Sequence, residues 1–336
     1  MHSKKRIIII PAIIIAAAVT ILAVCYGSIK AIGHNRIQKK NADTPGRVKY
    51  GGDLYEYDDD VVTFLVMGID KGKGIFEEWA RKSNDDKNPG QADALFLTVL
   101  NTRTKTIQII GINRNTMTDI NFYDDNGNYI TTFPAQIALQ YAYGTNKTES
   151  CEYQLSVVEN LFYHIPIHGY AAVNIGAVPA INDRIGGVDV EVLEDLTEQA
   201  PCLVKGSQVH LTGESAYWYV KYRDTDIFAS VDMRMTRQAQ YLNSFIDTAR
   251  QAVREDPLLV LKLYQDILPQ TETNLSFPEI MYLASDLPQY QFDQQSFHTI
   301  SGNTIMGEEY EEFYPDEAAL FELILDVFYQ KVENGE

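Results

Sequence analysis

Cysteine is scarce in this chain. Cys25, Cys151 and Cys202 are the three among 336 residues, too few for the disulfide framework of a small secreted scaffold. Cys25 closes an apolar run, so Cys151 and Cys202 remain either to pair or to persist as buried free thiols. The same scarcity argues against a thiol enzyme. Bases are also few, with 28 Lys and Arg against 46 Asp and Glu. Residues 1–40 hold seven of those bases and no acid, so the remainder carries 21 bases against 46 acids, a net charge of −25. A surface that acidic lacks the basic face needed to neutralise nucleic-acid phosphates, which excludes a nucleic-acid partner. It also makes any local cluster of Arg and Lys informative. Internal repeats and low-complexity tracts are missing, and so are several familiar motifs. Lys71-Gly72-Lys73-Gly74 lacks the spacing of a nucleotide-binding loop. His164 and His168 have the spacing of a helical zinc site, but Pro166 lies between them and no Glu follows the first. Gly213-Glu214-Ser215-Ala216-Tyr217 lacks the second Gly of a nucleophile elbow.

What is present begins with a membrane signal. Ile7 to Cys25 is apolar apart from Thr20 and carries no charge. A helix of about twenty such residues spans a bilayer core. Pro11 falls in its first turns, where a missing N–H costs little. Lys4-Lys5-Arg6 favours a cytoplasmic N-terminus; Lys30, Arg36, Lys39 and Lys40 on the other side weaken that orientation without reversing it. A cleaved signal peptide and a lipoprotein signal ending at Cys25 are the competing readings. The first lacks a small-x-small site, and the second has Val24 where a small residue is wanted. The expected layout is a cytoplasmic tail at 1–6, a transmembrane helix at 7–26, a juxtamembrane linker at 27–60 without a core, and one extracytoplasmic domain at 61–336.

Val61–Met67 is a near-continuous apolar run, the mark of a strand buried on both faces. Ala94–Leu100 and Thr106–Ile112 read as two more strands, joined by a turn at 101–105. Helical periodicity is expected at 134–143, 152–163, from 212, at 231–250, 257–267, 278–287 and 315–332, with a further strand at 188–192. Strands mixed with helices predict an α/β domain: a single mixed central sheet flanked by helices on both faces, preceded by one transmembrane helix.

Two acids stand at strand ends, Asp70 after the first strand and Asp93 before the second. On neighbouring strands the two carboxylates meet at one rim, where they repel unless a divalent cation sits between them. Each taken singly also fits a solvated loop. Arg114 follows the third strand. Lys221 and Arg223 lie two apart in a stretch read as extended, and Arg234 and Gln238 fall on one helix face. In so acidic a domain, four cations in three such segments point to an anion pocket, since Arg suits bidentate phosphate contacts and Lys supplies a point charge.

Five segments in this order resemble the LytR-CpsA-Psr family of Gram-positive surface proteins. They are Phe64-Leu65-Val66-Met67-Gly68-Ile69-Asp70, Ala92-Asp93-Ala94-Leu95, Asn113-Arg114-Asn115, residues 211–223 (Leu211-Thr212-Gly213-Glu214 through Lys221-Tyr222-Arg223), and Asp232-Met233-Arg234-Met235-Thr236-Arg237-Gln238. With the anchor in front, the resemblance covers about residues 61–250. It implies a phosphotransferase that moves a glycopolymer from an undecaprenyl-pyrophosphate carrier onto peptidoglycan. It also implies that Asp70 and Asp93 hold Mg²⁺, that Arg114, Arg223 and Arg234 are catalytic, and that Lys221 and Gln238 bind substrate. Three positions depart from the family pattern: Asn115 replaces an acid, Lys221 replaces an Arg, and Gln136 stands where some members have Lys. A polyprenyl-pyrophosphate-binding surface protein without turnover and a cell-envelope regulator are the alternative readings.

Overall fold

The computed structural model describes residues 27–70 apart from 38 and 41–44, and residues 90–332 apart from 125. The expected membrane helix at 7–26 lies outside the described residues, among which no helix is long and apolar enough to cross a membrane. The described part opens with a helix α1 (residues 27–37) and strands β1 (Val48–Tyr50), β2 (Asp53–Tyr57), β3 (Val61–Asp70), β4 (Gln91–Asn101) and β5 (Thr106–Ile112). A hairpin β6 (Met117–Tyr123) and β7 (Tyr129–Gln136) follows, then α2 (Lys147–Leu161), β8 (Gly169–Asn174) and α3 (Val178–Arg184). The middle contains β9 (Val188–Glu191), β10 (Gln208–Leu211), α4 (Gly213–Lys221), α5 (Ser230–Glu255) and α6 (Leu259–Ile267). The last part comprises β11 (Thr271–Thr273), α7 (Phe277–Asp286), β12 (Phe297–Thr299), β13 (Gly302–Met306), β14 (Glu311–Pro315), α8 (Glu317–Phe328) and β15 (Tyr329–Val332).

The central sheet is mixed, in the order β11-β8-β3-β4-β5-β12. β3, β4 and β5 are antiparallel neighbours, while β8 runs parallel to β3 and β12 parallel to β5. Successive side chains leave a strand on opposite faces, so each face builds its own core. Leu65, Met67, Leu95, Leu97 and Ile110 are at most 1% exposed and pack with Val157 and Val158 of α2, with Phe162 just past its end, and with Ile324 and Phe328 of α8. Burying each such side chain is worth about 1.5–3 kcal/mol. Val62 and Phe64 point the other way, onto Ile37 of α1 and Leu283 of α7. A separate cluster joins the β9–β10 hairpin to α4, α5, α6 and α7. The α/β class with a central mixed sheet is as expected, although four small sheets accompany it among the described residues.

Several local expectations are corrected. Residues 27–60 are not a coreless stalk: α1 buries Ile37, and β2 pairs with β1 and with β15 at the far end of the chain. Gly33 lets α1 lie directly on α7, because a Cβ there would come within 2.0 Å of the Pro278 carbonyl oxygen. Lys30 pairs with Asp286 at 2.8 Å and Lys40 with Glu279 at 2.9 Å. The stretch 134–143 is not one helix, since Pro134 belongs to β7 and only Ile137–Tyr143 turns, as a 3₁₀ segment. Pro134 opposes Asp119 in a two-stranded ribbon, where a strand has a free edge that tolerates a missing donor. The last helix stops at Phe328, where β15 begins, rather than at 332. Lys221 ends α4 rather than lying in an extended stretch. Cys151 and Cys202 are both free, the first buried and the second exposed.

His168 precedes β8 and is 5% exposed. Its Nδ1 accepts from the Thr63 backbone N–H at 2.9 Å, which fixes the neutral ring with its proton on Nε2. Burial, then the nearby Lys40 charge, pushes its pKa down to about 4. The unfolded chain therefore binds one more proton between roughly pH 6.5 and 4, and stability must fall as pH falls through that window. The expected loss is roughly 3 kcal/mol, read as a shift of the urea midpoint between pH 7 and pH 4. His168→Asn supplies an acceptor oxygen without a titrating ring and should flatten that part of the profile. An unchanged slope would remove His168 as its source.

Candidate active site

The site is built at the ends of β3, β4 and β5. β3 and β4 pair regularly from Val61–Asn101 to Gly68–Ala94, then shift register, so that Ile69 opposes Ala92 and Asp70 opposes Gln91. Asp93 is the extra residue of this bulge, and a bulge re-aims the side chain it carries. Gly90 packs against the end of β3. Its φ is +86°, and a Cβ would stand 2.7 Å from the Asp70 carbonyl oxygen. Asp93 thus lies inside β4 rather than before it.

Arg114 leaves the end of β5 and reaches two side chains of β4. Its Nη1 lies 2.5 Å from Asp93 Oδ1, and its Nη2 donates to Gln91 Oε1 at 2.7 Å. Arg234, near the start of α5, donates from Nη2 to the Asp93 carbonyl at 2.9 Å and is 6% exposed. Burial first, and then the charges of Arg114, Arg223 and Arg237, lower its pKa to about 10 against the pull of Asp93. Arg223 is lowered by burial and then by Arg114, while Glu311 and Asp93 raise it. Arg114, Arg223 and Arg234 therefore share one neighbourhood around Asp93. Among the described residues, the buried Nε atoms of Arg114 and Arg234 have no hydrogen-bond partner. Donors left bare in a buried site are costly unless a ligand accepts from them.

Lys221 brings the fourth cation. Its Nζ lies 3.1 Å from Asp70 Oδ2 and donates to the Tyr217 hydroxyl at 2.6 Å. Burial works against its charge, but the hydrogen bonds with Tyr217 and Asp70 leave its pKa raised. Its place depends on how α4 ends. The last carbonyls of a helix have no partner within it. Here Gln238 Nε2 donates to Val220 O at 3.0 Å, Arg237 Nη1 to Tyr219 O at 2.8 Å, and Arg237 Nη2 to Tyr222 O. One N–H of the Gln238 amide, expected on substrate, thus bonds the backbone beneath Lys221. Arg237, 1% exposed and paired with Glu194 at 3.2 Å, did not stand out in the sequence. Its only signal was its adjacency to Gln238, three residues past Arg234.

The structure accordingly gathers Asp93, Arg114, Arg223 and Arg234, with Asp70 and Lys221 on the neighbouring strand end and helix end. Gly111 lies beneath Phe297 and Met235, and a Cβ there would stand 3.0 Å from Phe297 Cζ and 3.2 Å from Met235 Cε. The donor set suits an anion with several oxygens. It also suits Mg²⁺, a hard ion content with one or two carboxylates when phosphate oxygens and water complete its shell. Among the described residues no three acids, His or Cys cluster as a protein-only metal cage would require.

Comparison with known proteins extends this picture. A 28% identical relative over 223 residues is the polyisoprenyl-teichoic acid–peptidoglycan teichoic acid transferase TagV of Bacillus subtilis (strain 168), with 65% of this chain and 50% of that protein covered. The TagU transferase of the same description from Bacillus anthracis (strain CDC 684 / NRRL 3495) is 29% identical over 185 residues, 55% of this chain and 52% of that protein. The chain spans about half the length of these curated relatives. The crystal structure of B. subtilis TagV superposes with a TM-score of 0.57 at 25% identity, over 80% of this chain and 95% of that one. The protein gbs0355 of Streptococcus agalactiae shares the fold, with a TM-score of 0.62 at 18% identity over 82% and 91% of the two chains. The sequence model of the LytR_cpsA_psr family matches residues 24–324, and this chain belongs to that family.

Proposed function

We propose that this chain is a phosphotransferase that moves a glycopolymer from an undecaprenyl-pyrophosphate carrier onto peptidoglycan. The observation that carries the reading is the convergence of Arg114, Arg223 and Arg234 on Asp93, with two bare guanidinium Nε atoms, in a domain otherwise strongly acidic. The names of the TagV and TagU relatives support it. In this proposal a wall hydroxyl attacks the polymer-side phosphorus. The new P–O bond forms as the bond from that phosphorus to the bridging oxygen of the lipid-side phosphate breaks, polyprenyl phosphate leaves with that oxygen, and the hydroxyl proton is lost to solvent. Arg114, Arg223 and Arg234 hold the pyrophosphate and neutralise the charge that gathers on its oxygens, which is most of what phosphoryl transfer asks of a protein. Lys221 adds a point charge beside Asp70, and Gln238 keeps Lys221 in place through the end of α4. Asp70 and Asp93 would hold Mg²⁺, which supplies further neutralisation of the pyrophosphate. The apolar run 7–26 would keep the domain at the membrane from the outer side, next to the lipid carrier.

The test is a transfer assay with the full chain in detergent, a polyprenyl-pyrophosphate-linked glycopolymer and peptidoglycan, with Mg²⁺ or a chelator. Mg²⁺-dependent attachment of polymer to the wall, with release of polyprenyl phosphate, is the expected result. Binding of the lipid-linked polymer without any release would favour a binding protein without turnover, the reading that Asn115 motivates. Absence of both binding and transfer would overturn the proposal.

A further inference from the structure

The Asn113-Arg114-Asn115 turn is held from both sides by carboxylates that the sequence does not connect to it. Asn113 Nδ2 donates to Asp232 Oδ1 at 2.9 Å, and Asn115 Nδ2 reaches Glu311 Oε2 at 3.4 Å. Asn113 Oδ1 accepts from the Asn115 N–H at 2.9 Å, closing the turn on itself. Glu311 opens β14, in the C-terminal hairpin β13–β14. That hairpin is joined to the turn by its backbone, Phe313 N–H donating to Asn115 O at 2.9 Å, and to the end of β7 by Gln136 Nε2, which donates to Glu311 O at 2.8 Å. The other oxygen of Glu311, Oε1, accepts from the Ala229 N–H at 2.8 Å. Ala229 sits in the left-handed region at φ +59°, just before α5. A non-glycine residue there is costly, of order 1 kcal/mol or more, and persists only where its surroundings hold it. One carboxylate therefore ties together the turn carrying Arg114, the loop between Arg223 and Ala229, and the start of the helix carrying Arg234.

We propose that Glu311 is a positioning residue of the site, delivered by the C-terminal hairpin, whose carboxylate places Arg114 and Arg223 beside Asp93 and offsets their mutual repulsion. The inference rests on the functional reading above and adds to it a residue that lies far beyond the segments carrying the cations. Charge accounting supports it. Arg223 is under the influence of Arg114, Glu311 and Asp93 together, and the raised pKa of Asp232 reflects burial first and the nearby Glu311 charge as well. The negative charge of this corner stands on Glu311, where Asn115 presents only an amide. The two are partners in one contact, so the charge can be moved from one side to the other without changing its shape.

The experiment is a charge exchange in the full chain: Glu311→Gln, Asn115→Asp and the double variant. Glu311→Gln retains an acceptor for Ala229 but removes the charge, and kcat/KM should fall about tenfold, the order expected for one charge-assisted contact. Asn115→Asp sets a carboxylate against Glu311 and should fall by a similar factor. In N115D/E311Q the amide introduced at position 311 donates to the carboxylate introduced at position 115, while its oxygen still accepts from Ala229. There kcat/KM should return to within about threefold of wild type. Affinity for inorganic pyrophosphate with Mg²⁺, measured by calorimetry on the same four proteins, should follow the same order. Single variants that match wild type, or a double variant as impaired as the worse single one, would overturn the proposal. A wild-type chain that neither transfers polymer nor binds pyrophosphate would instead overturn the functional reading beneath it.

Discussion

Arg234→Ala should lower turnover roughly a thousandfold, the range seen when a single charge-stabilising donor is removed from a phosphoryl or acyl transfer site. Arg234 is the most deeply buried of the site cations the sequence singled out, with Nη2 fixed on the Asp93 carbonyl and a bare Nε. Holding a charged guanidinium out of water is unfavourable, and burial accordingly pulls its pKa down to about 10. Unlike Arg237, whose head is taken up by the end of α4 and by Glu194, Arg234 presents a buried Nε without a partner among the described residues, which suits it to a ligand. The cost to stability should be modest, on the order of 1–3 kcal/mol for the hydrogen bond and the space lost. Arg234→Lys should lie between alanine and wild type, because an ammonium keeps the charge and loses the fork. Steady-state transfer rates measured beside thermal unfolding decide the matter. Turnover within tenfold of wild type in a folded Arg234→Ala would remove Arg234 from the active site.

The two acids should separate, although both are expected to hold the metal. Asp70→Asn should abolish Mg²⁺-dependent turnover while the protein stays near wild-type stability. Its ion-pair partner Lys221 is about a quarter exposed and keeps its Tyr217 contact, and a partly solvated pair of this kind contributes about 0–1 kcal/mol. Asp93→Asn should lose turnover equally and also destabilise the domain. Asp93 is the one acid that Arg114, Arg223 and Arg234 have in common. Removing one partner from a buried ionic cluster costs about 3–5 kcal/mol where burial is complete, and somewhat less at the partial exposure found here. Measuring rate against Mg²⁺ concentration, and urea midpoints for both variants, tests each half separately. Full Mg²⁺-dependent turnover in Asp70→Asn would end the metal assignment, and wild-type stability in Asp93→Asn would end the shared-anchor account.

Features that depend on neighbours along the chain can be read from consecutive residues. The apolar runs at 61–67 and 106–112 announced β3 and β5, and the helical spacing after 230 announced α5, because period and burial are written in consecutive residues. The positions of Asp70, Arg114 and Arg234 at element ends were legible for the same reason. The remaining features come from contacts between segments far apart in the chain. The bulge that turns Asp93 toward Arg114 exists through the pairing of β3 with β4, across the twenty residues 71–90. Ile37 became core because α7, some 240 residues later, has a surface for α1 to cover. Gln238 was legible as a polar residue on the Arg234 face, yet its amide was claimed by the open carbonyls of α4, which no periodicity in α5 could reveal. Glu311 was one acid among 46 in the sequence. It acquired a role only when the C-terminal hairpin laid it against Asn115 and Ala229, since an ion's effect is set by distance in space and not by distance along the chain.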